Sequence, residues 1–95
     1  MTGMNFRQAL GEVIRTERHA RGLTMRDISL NGYVSLGHLS EVERGVKEVS
    51  SEMLDGISTG MGVNTYDLIL KAGYLMADLD VPDTPEQIFS FETIR

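Results

Sequence analysis

The chain has 95 residues, 41% of them hydrophobic, a net charge of −5 and no cysteine. This describes one folded domain near the small end of what buries its own core, and it excludes a disulfide framework or a thiolate metal site. No apolar run approaches the length of a membrane span, and the first eleven residues hold no apolar signal core, so a cytoplasmic location is expected.

No segment sustains the period-2 alternation of a half-buried strand, so an all-α fold is expected. The first helix is predicted from about Asn5 to Arg21, with Phe6, Leu10, Val13 and Ile14 on one face and Gly22 as a left-handed stop. A second helix follows the cap Thr24, with Asp27 favouring its positive end. Ile28 points inward, Ser29 is small enough to let the next helix cross closely, and Asn31 and Gly32 end the element. Val34 tucks under the turn.

The third helix starts after Ser35. Leu39 and Val42 face the core, while Leu36, Gly37, Ser40, Glu41 and Arg44 lie on the other sides and Gly45 stops it. About eight residues are too few for a helix to be stable alone, so its neighbours must hold it. A fourth helix is expected after Ser50 or Ser51, running to about Met61, with Leu54, Ile57, Ser58 and Met61 inward and Gly62 closing it.

The fifth is expected after Asn64 or Thr65, running to about Met76. Projected around its axis, it keeps only Asp67 and Lys71 as a charged stripe. Leu68, Ile69, Ala72, Leu75 and Met76 form one apolar side; Tyr66, Leu70 and Tyr74 form a second, with no obvious partner inside so small a domain. Residues 77–95 are read as an acidic extension. Val81-Pro82-Asp83 breaks helix, and Thr84-Pro85-Glu86-Gln87 resembles a capping box for a short helix carrying Ile88, Phe89, Phe91 and Ile94.

The charge is unevenly spread. Residues 1–47 carry seven Lys/Arg against five Asp/Glu, and residues 48–95 carry two against nine. Affinity for a polyanion depends on local cations and not on the total, so the first half keeps that option open.

The set Leu10, Ile14, Arg15, Arg18, Gly22-Leu23-Thr24, Ile28-Ser29, Val34-Ser35, Leu39-Ser40-Glu41-Val42-Glu43-Arg44-Gly45, Ser50, Leu54, Ile57 and Gly62-Val63 resembles the Cro/C1-type (XRE) helix-turn-helix family. Within it, the run from Val34 to Gly45, followed by Lys47-Glu48-Val49-Ser50-Ser51-Glu52, looks most like the actinobacterial ClgR type, the activators of Clp protease genes. The resemblance implies a five-helix, lambda-repressor-like domain over residues 5–76, with 77–95 as a dimerisation element. It implies a homodimeric, sequence-specific transcription activator that binds a double-stranded operator, needs no cofactor, and is brought against RNA polymerase by activation. A phage-type repressor or an antitoxin shares the fold, and a protein-interaction module that has lost DNA binding is a further alternative.

The resemblance also assigns residues. Leu36, Gly37 and Glu41 occupy base-facing positions: Leu36 suits a thymine methyl, Glu41 suits cytosine N4, and Gly37 allows only close approach. Glu41 could equally be a solvated acid. Arg26, Ser35, His38, Ser40, Arg44 and Lys47 are the phosphate candidates, although Ser35 is also a cap and His38 could be merely solvated. Arg18 and Glu43 match a structural ion pair that sets the angle of the recognition helix. Tyr66, Leu70, Tyr74, Phe89 and Phe91 are the dimer candidates; the alternative is that the tail folds back over its own fifth helix.

Three departures stand out. Tyr33 occupies a turn position that is usually Gly, so either the turn shifts or Tyr33 takes an unusual backbone conformation. Met25 replaces a common Gln, and Val49 a common Pro. His19 has neither a second His at i+4 nor an acidic ligand frame, so no metal site is expected. No nucleophile–base set, phosphate loop or paired carboxylates support catalysis.

Overall fold

Helices begin in this chain where a side chain can satisfy free backbone N–H groups. Asn5 and Gln8 do this reciprocally at the first helix, with Asn5 Oδ1 accepting from the Gln8 N–H at 2.8 Å and Gln8 Oε1 accepting from the Asn5 N–H at 3.0 Å. Thr24 and Asp27 form the same box at the second. The two Thr24 hydrogen bonds, backbone first, hold the Asp27 carboxyl below its ordinary pKa. Ser35 and Ser50 cap the third and fourth. The computed structural model describes residues 3–80, and these caps open α1 Phe6–Ala20, α2 Met25–Gly32, α3 Leu36–Glu43 and α4 Ser51–Met61; α5 is Thr65–Met76. The described residues contain no strand. At α5 the expected cap is missing: Asn64 makes no side-chain cap bond, and its amide donates to the Tyr66 hydroxyl instead.

The core is a single cluster. Leu10 and Ile14 of α1, Ile28 of α2, Leu39 and Val42 of α3, Ile57 of α4 and Leu68 of α5 are all but inaccessible to water. Each such side chain contributes roughly 1.5–3 kcal/mol by leaving water. α2 packs mainly on α4, and α1 on α5 and α3. The α2–α4 crossing is backbone-close. A methyl on Gly32 would lie 2.0 Å from the Gly56 carbonyl oxygen, and one on Gly60 would lie 2.7 Å from the Ile28 carbonyl oxygen.

Three sequence expectations are corrected. Phe6 is 41% exposed, because the inward line of α1 starts at Ala9 and Leu10. Ser29 has a further role, since its hydroxyl donates to the Val34 carbonyl at 2.6 Å and braces the turn. Ile69 and Met76 are exposed and do not join the core side of α5. The charged stripe of α5 faces inward: Asp67 and Lys71 are only 5% and 6% exposed. The reason is a partner on α1. Lys71 Nζ lies 2.7 Å from Glu17 and 3.4 Å from Asp67, so the buried ammonium is compensated. Turning that stripe inward leaves Tyr66, Ile69, Leu70 and Met76 facing out. The expected helix after Thr84, with Phe89 and Phe91, lies outside the described residues.

Candidate nucleic-acid interface

The turn between α2 and α3 determines what α3 presents. Tyr33 takes the left-handed conformation, φ 55° and ψ 45°, and its N–H donates to the Ser29 carbonyl. The turn is therefore not shifted; Tyr33 carries the conformation usually left to glycine. Val34 is half-buried against the core cluster, and Ser35 turns the chain into α3.

α3 is bound on its inner side by Leu39, Val42 and Glu43, all buried. At 100° per residue the opposite side carries Gly37, Ser40, Glu41 and, at the C-cap, Arg44. Leu36, Gly37, His38 and Arg44 are exposed, while Ser40 and Glu41 are half-buried. A methyl on Gly37 would meet only the Ser35 hydroxyl, at 3.9 Å, so within the free protein this position is open. The Ser35 hydroxyl is occupied as the cap, accepting from the His38 N–H at 3.3 Å. Arg44 Nε lies 3.4 Å from the Ser40 carbonyl oxygen. A groove beside α3 is lined by Tyr33, Ser35, His38, Lys47 and Ser50, among others.

The cations divide into two groups. Arg7, Arg15, Arg18, Arg21 and Lys71 are each engaged with a carboxylate. Arg26, Arg44 and Lys47 are exposed and have no ion pair among the described residues. Those three lie on the helix-turn-helix and the segment just after it. An engaged cation has already traded its solvation for a partner, whereas an unengaged one remains available to phosphate.

Arg18 and Glu43 form a two-pronged pair, with Arg18 Nε 2.7 Å from Glu43 Oε2 and Nη2 3.0 Å from Oε1. Arg18 Nη1 also reaches the Leu23 carbonyl at 3.2 Å. One guanidinium thus ties the end of α1, the α1–α2 link and the end of α3. The hydrogen bonds to Glu43 raise the Arg18 pKa despite the opposing effect of burial.

The fold has counterparts in known proteins. Over 71 residues, 75% of the chain, it is 44% identical to the transcriptional regulator ClgR of Mycobacterium tuberculosis. A crystal structure of the clp gene regulator ClgR from Corynebacterium glutamicum superposes with a TM-score of 0.71 at 40% identity, covering 77% of this chain and 95% of that one. This chain belongs to the ClgR family of transcriptional regulators. A second structure of that regulator covers 97% of the chain at 33% identity and a TM-score of 0.74. A mutant of the restriction-modification controller protein C.Esp1396I has the same fold, with a TM-score of 0.71 at 18% identity over 81% of this chain and 98% of its own. No protein-family model matches the chain. The match spans 63% of the length of the M. tuberculosis relative.

Sequence reasoning missed a second anchor. Arg7, in the first turn of α1, donates to the Gly45 carbonyl at 3.1 Å and to Glu48 at 3.0 Å. It holds the segment that carries Lys47. Gly45 itself has φ +74° and packs against Gln8 of α1. The contact joins residues 38 apart, and no local pattern announces it. Of the five dimer candidates, Tyr66 and Leu70 lie exposed on α5 and Tyr74 is half-buried, while Phe89 and Phe91 fall outside the described residues.

Proposed function

We propose that the chain is a homodimeric, sequence-specific DNA-binding transcription activator whose targets include Clp protease genes. The observation that carries this reading is the short polar α3, presented outward and flanked by the unengaged cations Arg26, Arg44 and Lys47. α3 enters the major groove, with Leu36 and Glu41 at base edges and Gly37 allowing close approach. Arg26, Arg44 and Lys47, with Ser35, His38 and Ser40, meet the backbone. So few base-reading groups leave much of the discrimination to phosphate contacts and to deformability of the duplex.

The apolar outward side of α5, with Tyr66, Leu70 and Met76, supports pairing with a second copy. Two α3 helices then face successive major grooves about 34 Å apart. That the solved relative is named a clp gene regulator supports the choice of target, and activation brings the dimer against RNA polymerase. No helix among the described residues is long and apolar enough to cross a membrane.

Genome-wide crosslinking, followed by titration of purified protein onto the recovered sites, tests the reading. Enrichment upstream of Clp protease genes, with reduced transcripts when the gene is deleted, is the expected result. No enriched site, together with no salt-dependent binding to any duplex, would reject it.

A further inference from the structure

The corner between α2 and α3 holds a residue that the free fold does not repay. Tyr33 sits in the left-handed region, which a residue with a Cβ disfavours. The turn needs that conformation: the Tyr33 N–H and the Val34 N–H both donate to the Ser29 carbonyl, and the Ser29 hydroxyl closes back on Val34. Glycine would make all of these backbone bonds with less strain. The Tyr33 side chain is 96% exposed, the most exposed large apolar side chain among the described residues, so burial does not compensate it. Nor does its hydroxyl have a hydrogen bond within the described residues. Tyr33 lines the groove it shares with Ser35, His38 and Lys47, beside the start of α3. Strain held next to a binding surface without internal compensation points outward, to a ligand.

We propose that Tyr33 is a DNA-backbone contact: its phenolic O–H donates to a phosphate oxygen flanking the groove that α3 enters. The inference rests on the DNA-binding reading above. A backbone contact positions the protein and reads no base, so it strengthens binding to every sequence alike. The phenol is uncharged, so the contact displaces no condensed cation and leaves the salt slope unchanged.

The test compares wild type, Tyr33→Gly and Tyr33→Phe by thermal melting and by titration onto an operator duplex and a random duplex at several salt concentrations. Tyr33→Gly is expected to melt about 2–5 °C higher and yet to bind both duplexes about tenfold more weakly, with the same salt slope. Tyr33→Phe is expected to melt like wild type and to lose the same affinity. A gain in stability with opposite loss of binding is not what a purely structural residue gives. Tyr33→Gly binding within twofold of wild type would overturn the contact, and a lower melting temperature would overturn the strain argument. Tyr33→Phe binding within twofold would overturn the hydroxyl as donor. A wild-type chain that binds no duplex would instead overturn the DNA-binding reading itself.

Discussion

Glu17 and Arg18 are neighbours on α1, yet they hold opposite parts of the molecule. Arg18 reaches α3 through Glu43, while Glu17 reaches α5 through Lys71. The two clamped helices are turned in opposite senses. α3 buries Leu39 and Val42 and shows polar groups outward; α5 buries Asp67 and Lys71 beside Leu68 and shows Tyr66, Ile69 and Leu70. One surface suits a polyanion, and the other suits an apolar face of protein. What α1 supplies is charge on adjacent residues, and that charge decides which side of each neighbour is left for a partner.

The largest effect is expected from breaking the α3 clamp. Glu43→Ala leaves the Arg18 guanidinium, 12% exposed, without its carboxylate. A loss of about 2–4 kcal/mol follows, read as a drop of roughly 10–20 °C in melting temperature, with DNA affinity falling too. An unchanged melting temperature would contradict the clamp.

The α5 clamp comes next. Lys71→Met leaves the buried Asp67 without its cation and Glu17 with Arg21 alone, at a cost of about 1–3 kcal/mol at pH 7. The pH dependence separates this from lost packing. Burial raises the Glu17 pKa, but the hydrogen bonds from Lys71 and Arg21 outweigh it and hold the carboxyl below 4.5. A depressed carboxylate contributes stability that is present above its unfolded pKa and lost as pH falls through the folded one. Wild type should therefore lose stability in acid below about pH 4.5, and Lys71→Met should lose less. For Lys71, burial lowers the pKa but the pairs to Glu17 and Asp67 win and raise it, so its contribution is present up to about pH 10.5 and lost only above that. Parallel acid curves for the two proteins would contradict the network.

Smaller changes in stability address the two outward faces. Leu70 is 38% exposed, so Leu70→Glu should cost less than about 1 kcal/mol in folding and should sediment as a monomer where the proposed pairing predicts a wild-type dimer. A wild-type monomer at micromolar concentration would reject the α5 interface. Gly37→Ala should stabilise by about 0.5–1 kcal/mol, since alanine suits a helix better and the site is open. The same methyl should weaken operator binding, measured by titration. Unaltered binding would remove Gly37 from the interface.

Helix positions were readable from the chain because their signals are local. Thr24, Ser35 and Ser50 sit three residues before the N–H groups they bind, and Gly62 takes the left-handed turn at φ 76°. The Arg18 and Glu43 positions were visible through family resemblance and not through spacing, since 25 residues separate them. The orientation of α5 was not legible. A helical projection assumes that charge seeks water, and the partner that overrides this, Glu17, is 54 residues away in sequence. The contacts of Gly32, Gly56 and Gly60 were likewise hidden, because what each touches is the backbone of another helix. The availability of Arg26, Arg44 and Lys47 emerged only by elimination, once every other described Lys and Arg had a carboxylate beside it.

Hydroxyl-radical footprinting of the saturated operator complex tests the central claim most directly, because it reports α3 and the α5 pairing together. Two protected patches on one face of the duplex, about 34 Å apart, are expected for wild type, with Leu70→Glu losing the paired pattern at the same concentration. A single patch for wild type, or a paired pattern that survives Leu70→Glu, would contradict the account.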